Sequence, residues 1–227
     1  MLPLPPADAL ASGQYNHVPL LNGTNHDEGR LFAGLRFDLR GAPLTAAQYP
    51  GVIQAQVGAA NAQTVLDAYP LSAYPSPDLA YAAMFTDSAF SCPALTADDL
   101  ATHSGVYAYE FSDPNAIDDI GLPFSFPLGA AHSTEIAYVF QRMVFFDTLP
   151  PFTPAQLDLS YQMIQYWTNF AATGNPNGGS GGAVPQWPRY TEGNRQIQEL
   201  VPENTAPESD ATFAAFHHCA LWASING

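Results

Sequence analysis

A carboxylate and a histidine in this chain each stand where they could do chemistry. Glu28 lies in Asn22-Gly23-Thr24-Asn25-His26-Asp27-Glu28-Gly29, directly after the apolar run 18–21. His132 lies in Gly129-Ala130-Ala131-His132-Ser133-Thr134-Glu135, among small residues that leave an imidazole free to face a pocket. Imidazole is the side chain best suited to general-base work near neutral pH. A carboxylate against its second nitrogen fixes the tautomer and stabilises the imidazolium that forms. A strand-end acid and a loop histidine are thus two of the three parts of an acyl-transfer triad. The third part, a serine on a strand-to-helix elbow, is expected to be absent from the chain. The letters Gly-x-Ser-x-Gly do occur at 178–182, but inside the Gly/Asn/Ser run 175–184, which reads as an exposed loop.

The same residue types have plainer uses. An Asp-Glu-Gly triplet also makes a surface turn, and a loop histidine also serves structure alone. Glu135, three residues after His132, would face the same way on a helical turn and could orient the imidazole. No further ligand cluster accompanies His132-x-x-Glu135 as a metal pair, so no metal and no organic cofactor is expected. His217 and His218 precede Cys219 in a helical stretch, one read as core-facing and the other as surface. The sequon Asn22-Gly23-Thr24 ends a strand expected to be buried and is discounted as a glycosylation site.

The elements that must position these groups follow from periodicity and breakers. The run 18–21 reads as a buried strand that ends at Asn22-Gly23. Segment 45–69 reads as short helices. Ser76-Pro77 reads as an N-cap with proline in the first turn, opening a long helix over 79–92 that kinks or restarts at Pro93. Val106-Tyr107-Ala108-Tyr109-Glu110-Phe111 reads as a second buried strand. Segment 112–131, with prolines at 114, 123 and 127, reads as a long functional loop, and 136–144 resumes as helix. Thr153-Pro154-Ala155-Gln156 is a capping box that opens a helix closed by Gly174. Segment 196–200 reads as a strand and 213–222 as one final amphipathic helix. Short buried strands alternating with helices indicate an α/β sheet.

Composition excludes several partner classes. The chain has 227 residues, a formal charge of −15 and six basic residues, all arginine. Such a surface repels nucleic-acid phosphates and anionic membranes. It holds no apolar run of membrane-spanning length, and residues 1–6 do not read as a signal peptide, having no basic stretch and no apolar stretch after it. The two cysteines, Cys92 and Cys219, are open to two readings: a long-range disulfide or two buried thiols.

Taken in order, these stretches resemble the C-terminal half of the type-B carboxylesterase and cholinesterase family of α/β-hydrolases. Segment 18–29 is similar to the family's acid motif and 129–135 to its histidine motif. Segments 167–177 and 187–190 resemble structural motifs. Cys92-Pro93 and His218-Cys219-Ala220-Leu221-Trp222 resemble the pair that forms a disulfide. The resemblance implies an α/β fold with mostly parallel strands, residues 1–227 forming the C-terminal part of one hydrolase domain. It implies a Ser-His-Glu carboxylic ester hydrolase in which Glu28 is the acid, His132 the base and Glu135 a brace for the histidine loop. It also implies a Cys92–Cys219 disulfide, which favours an extracellular or otherwise oxidising compartment. The serine and the glycine-rich oxyanion loop precede the acid in the family order, so an upstream half is the expected partner and the chain alone is expected to be nearly inactive. Phe124 and Phe126 are candidates for lining an ester pocket or for the core. The alternative is a non-catalytic relative that keeps the fold for binding or adhesion.

Overall fold

The structure is a computed structural model that describes residues 3–118, 121–141, 151–177 and 184–226. It is an α/β arrangement built on a four-stranded sheet in chain order: β1 (Leu20–Asn25), β2 (Val106–Phe111), β3 (Gln196–Leu200) and β4 (Ala206–Ser209). The pairs β1–β2 and β2–β3 are parallel and β3–β4 is antiparallel. The strand expected over 18–21 therefore starts later and runs on through Asn25. β4 was not anticipated. Its Pro207 and Glu208 lack the apolar alternation of a strand, which an edge position tolerates.

Strand β2 explains the layering. Tyr107 and Phe111 face a cluster with α7 (Ile136–Val139) and α8 (Pro154–Thr173), including Tyr138, Met163, Tyr166 and Trp187. Val106 and Ala108 face the other way, toward Ala101, Ile197 and Phe213. Both faces are covered, so β2 is apolar at almost every position, as strands sandwiched between helices are. Trp187 donates to Ala108 O across 3.0 Å, and Asn177 exchanges two hydrogen bonds with the Trp187 backbone. Helix α8 has the capping box of Thr153 and Gln156 and ends at Gly174, whose φ is +74°.

The largest core cluster lies under the helices that precede β2. It joins α2 (Gly29–Arg36), α3 (Tyr49–Val57), α4 (Ala62–Ala68) and α5 (Pro77–Thr86). Helix α5 is capped by Ser76 as its sequence requires, and it continues without a break through a π-turn (Asp87–Ser91) into α6 (Cys92–Leu100). Phe124 and Phe126 stack at 6.2 Å and belong to this core; the Phe124 ring lies against Gly34 of α2. Segments 112–118 and 121–131 hold no regular element, as expected of the proline-rich loop. The helix expected over 136–144 is present only as α7 and stops after Val139, because Phe140 leaves helical geometry and Gln141 sits at φ +50°; residues 142–144 lie outside the described residues.

The final helix is two helices. Asp210–Phe216 and Cys219–Asn226, here α8's successors α9 and α10, are separated at His217 and His218, and His218 sits at φ +53°. The break turns His217 into the interior (1% exposed), while His218 stays half-exposed. The disulfide is formed: Cys92 at the start of α6 bonds Cys219 at the start of α10.

Candidate active site

Glu28 lies three residues past the end of β1 and stands at the N-cap position of α2. Its placement depends on Gly29. A Cβ there would stand 2.1 Å from Ala82 O on α5, while the Gly29 N–H donates to Thr86 Oγ1 across 2.8 Å. A glycine in an Asp-Glu-Gly triplet suits a turn, but here it serves close approach, letting α2 lie against α5. Gly29→Ala is expected to destabilise the chain by roughly 1–3 kcal/mol, because backbone must move to admit the methyl. A urea titration checks this, and an unchanged midpoint would refute the close-approach role.

The Glu28 carboxylate is buried and its two oxygens have separate tasks. Oε1 accepts from Asn25 N at 2.9 Å and from Thr24 Oγ1 at 3.3 Å. Oε2 lies 2.6 Å from His132 Nδ1. The acid is thus fixed from one side and presents the other to the imidazole. Its hydrogen bond to His132, with the charge of Glu28 behind it, raises the histidine pKa above the ordinary value against partial burial. The His132 side chain is 46% exposed, and Nε2 has no hydrogen-bond partner among the described residues. The rings of Phe32 on α2 and Phe90 on the π-turn flank the imidazole at 5.1 and 5.4 Å.

The loops that carry the acid and the base are tied together. Asp27 N–H donates to Ala130 O at 2.9 Å, and Ala130 N–H donates to Asp27 Oδ2 at 3.3 Å. Arg30 pairs with Asp27 at 2.9 Å and donates to Pro127 O. Gly129, at φ +60°, leaves room for this pairing, since a Cβ there would stand 2.4 Å from Asp27 Oδ2. Asn25 Nδ2 donates to Ala131 O at 2.8 Å and also to Glu135 Oε2. Ala131 O additionally accepts from Thr134 Oγ1 at 2.8 Å. Ser133, next to the histidine, is held at φ +75°, a conformation that costs energy in a residue with a Cβ and persists only where neighbours enforce it.

Glu28 and His132 are therefore brought together, and Glu135 reaches the histidine loop through Asn25 rather than through the imidazole. No hydrogen bond joins it to the imidazole among the described residues, although its charge helps raise the His132 pKa. It accepts from Asn25, which holds the backbone just before His132. Burial raises its pKa. Asn25 and Asp27 were missed, although both lie in the acid motif; their partners are more than a hundred positions away, and pattern along the chain cannot show that. Asn22 is half-buried and its Nδ2 donates to Asp98 Oδ1 at 2.8 Å, which agrees with discounting the sequon.

The comparisons with known proteins fit this geometry. Residues 1–222 match the model of the carboxylesterase family. The chain belongs to the carboxylesterase family. This family member is 30% identical to the pyrethroid hydrolase Ces2e of Rattus norvegicus over 207 residues, covering 87% of the chain and 35% of the relative. It is 36% identical to a cocaine esterase of Homo sapiens over 117 residues, 51% of the chain and 20% of that protein. Among solved structures it superposes on a PNB esterase with a TM-score of 0.65 at 26% identity, covering 95% of the chain and 41% of that esterase. The carboxylesterase chain thus spans well under half the length of these relatives. Its string 178–182 follows His132 in sequence and lies outside the described residues.

Proposed function

We propose that this chain supplies the acid and the base of a serine carboxylester hydrolase, and that the nucleophile and oxyanion donors stand on an upstream half of the same fold. The observation that carries the reading is the 2.6 Å contact of buried Glu28 with the half-exposed His132, whose Nε2 has no hydrogen-bond partner among the described residues. In the proposed reaction His132 Nε2 takes the proton of the serine hydroxyl as it attacks the ester carbonyl. Glu28 keeps the proton on Nδ1 and stabilises the imidazolium. His132 returns the proton to the leaving alkoxide, and a water activated by the same nitrogen then cleaves the acyl-enzyme. Glu135 and Asn25 hold the histidine loop during these steps.

Two observations support the upstream half as partner. Strand β1 is first in the sheet, with no strand beyond it among the described residues. The chain also covers only 41% of the esterase it superposes on. Residues 1–227 would then be the C-terminal part of one hydrolase domain. The chain alone is expected to turn over p-nitrophenyl butyrate no faster than buffer. Adding an upstream segment with a serine elbow is expected to restore turnover, and His132→Ala to abolish it. Rapid turnover by the isolated chain, with a covalent organophosphate adduct on it, would overturn the reading. An upstream elbow bearing glycine or alanine in place of serine would favour the binding relative instead.

A further inference from the structure

A second histidine–carboxylate cluster lies beside the Glu28–His132 pair and takes no part in it. Four elements contribute: His26 from the β1–α2 turn, Asp87 from the π-turn, Glu110 from β2 and His217 from the α9–α10 break. His217 Nδ1 lies 2.6 Å from Asp87 Oδ1, and its Nε2 lies 2.8 Å from Glu110 Oε1. His26 Nδ1 reaches the same Glu110 oxygen at 3.0 Å. The His217 and Glu110 side chains are 1% and 5% exposed and that of His26 is 33% exposed. We propose that His26 Nδ1, Glu110 Oε1 and His217 Nε2 form a binding site for a divalent transition-metal ion of the zinc type, with Asp87 holding His217 in the ligating orientation.

The donor chemistry fits. Two imidazole nitrogens and one carboxylate oxygen make a set that zinc accepts, leaving a tetrahedral position open. One such atom from each of the three residues lies within 4.8 Å of the others. Bonds of about 2 Å at tetrahedral angles place ligand atoms a little over ~3 Å apart. The two contacts to Glu110 need only widen by a few tenths of an ångström. The outer partner is also in place. Asp87 accepts from His217 Nδ1–H, which keeps a proton on that nitrogen, so that loss of the proton shared with Glu110 frees the Nε2 lone pair for the metal. Asp87 in turn accepts from Tyr69 Oη at 2.7 Å, and Trp222 Nε1–H donates to that hydroxyl at 2.8 Å.

Charge points the same way. Asp87 and Glu110 are buried, and every ion-pair partner they have among the described residues is a histidine. Two imidazolium protons or one dication offset these two charges equally. Glu199, the register partner of Glu110 on β3, and Glu208 on β4 are further carboxyl groups near Glu110, each with its pKa raised by burial and by the Glu110 charge, so a cation there would favour their ionised forms. The ion has a route in, because His26 and Asp87 border a cavity of about 440 Å³ shared with Asp27, Phe216 and His218. That cavity can also furnish a water as fourth ligand. Each imidazole must give up the proton it shares with Glu110, so affinity rises with pH.

The competing arrangement is a purely protonic network, and titration of the chelator-treated full chain separates the two. Calorimetry with Zn²⁺ is expected to give one tight ion per chain, and Co²⁺ to give the strong visible absorption of a four-coordinate site. His26→Ala is expected to weaken binding by more than the roughly 100-fold that loss of an outer partner costs, while His132→Ala leaves it unchanged. Absence of tight binding, indifference to His26→Ala, or loss in His132→Ala would each overturn the proposal. Should His26→Ala fail to fold, the imidazole ¹⁵N resonances of the unaltered chain decide. Those of His26 and His217 must shift together by one equivalent of Zn²⁺, and unshifted signals refute the site.

Discussion

Glu28→Gln, introduced into the chain joined to the proposed upstream half, is expected to lower kcat by about 10³–10⁴-fold with little change in structure. The amide fills the same volume and can still hydrogen-bond His132 Nδ1. It offers no charge to the imidazolium, and it can donate to Nδ1 and so select the wrong tautomer. The pH profile supplies a second readout with a definite sign. The hydrogen bond to Glu28 and its charge hold the His132 pKa above 6.5. A general base works only when neutral, so kcat/KM rises as pH rises through that raised value. Removing the carboxylate's charge lowers the pKa, so the acid limb of Glu28→Gln moves to lower pH while the plateau falls. An NMR titration of the His132 imidazole in this chain alone should show the same downward shift. A profile that keeps its acid limb would mean that Glu28 does not tune His132.

Replacing both Cys92 and Cys219 by alanine is expected to cost about 2–5 kcal/mol of stability, the range for losing a native disulfide. The bond spans 127 positions, and in the chain-entropy model so long a loop restricts the unfolded chain by roughly 5 kcal/mol. In a chain of this size that corresponds to a fall in Tm on the order of 10 °C. Thermal melts with and without reductant make the comparison internal. Reductant should bring the unaltered chain down to the double variant and leave the double variant where it is. Equal melting of all four samples would show that the bridge contributes nothing. The bond joins α6 to α10, so its loss should first loosen the C-terminal helices, including the break that carries His217. Such a bridge also suits a protein made for an oxidising compartment.

Much of this molecule could be read along the chain. The apolar run of β2, the Ser76 and Thr153 caps and the glycine stop at 174 are short-range signals, and each places its element correctly. The ordered motifs around Glu28, His132, Cys92 and Cys219 were enough to indicate the family, which residues 1–222 then match. Only the tertiary structure could supply relations between residues distant in sequence. The Glu28–His132 contact joins positions 104 apart. The bonds of Asn25 to Ala131 and Glu135 are as long-range, so Glu135 reads as a helical neighbour of the histidine although its partner lies at the end of β1. Gly29 read as a turn residue because Ala82, the group it makes room for, is over fifty positions away. His217 read as one more residue of an amphipathic helix, since periodicity cannot mark a break that depends on Asp87 and Glu110 waiting in the interior. Local propensity fixes which residues form strands and helices; Coulomb interactions, hydrogen bonds and steric limits between elements decide which side chains meet.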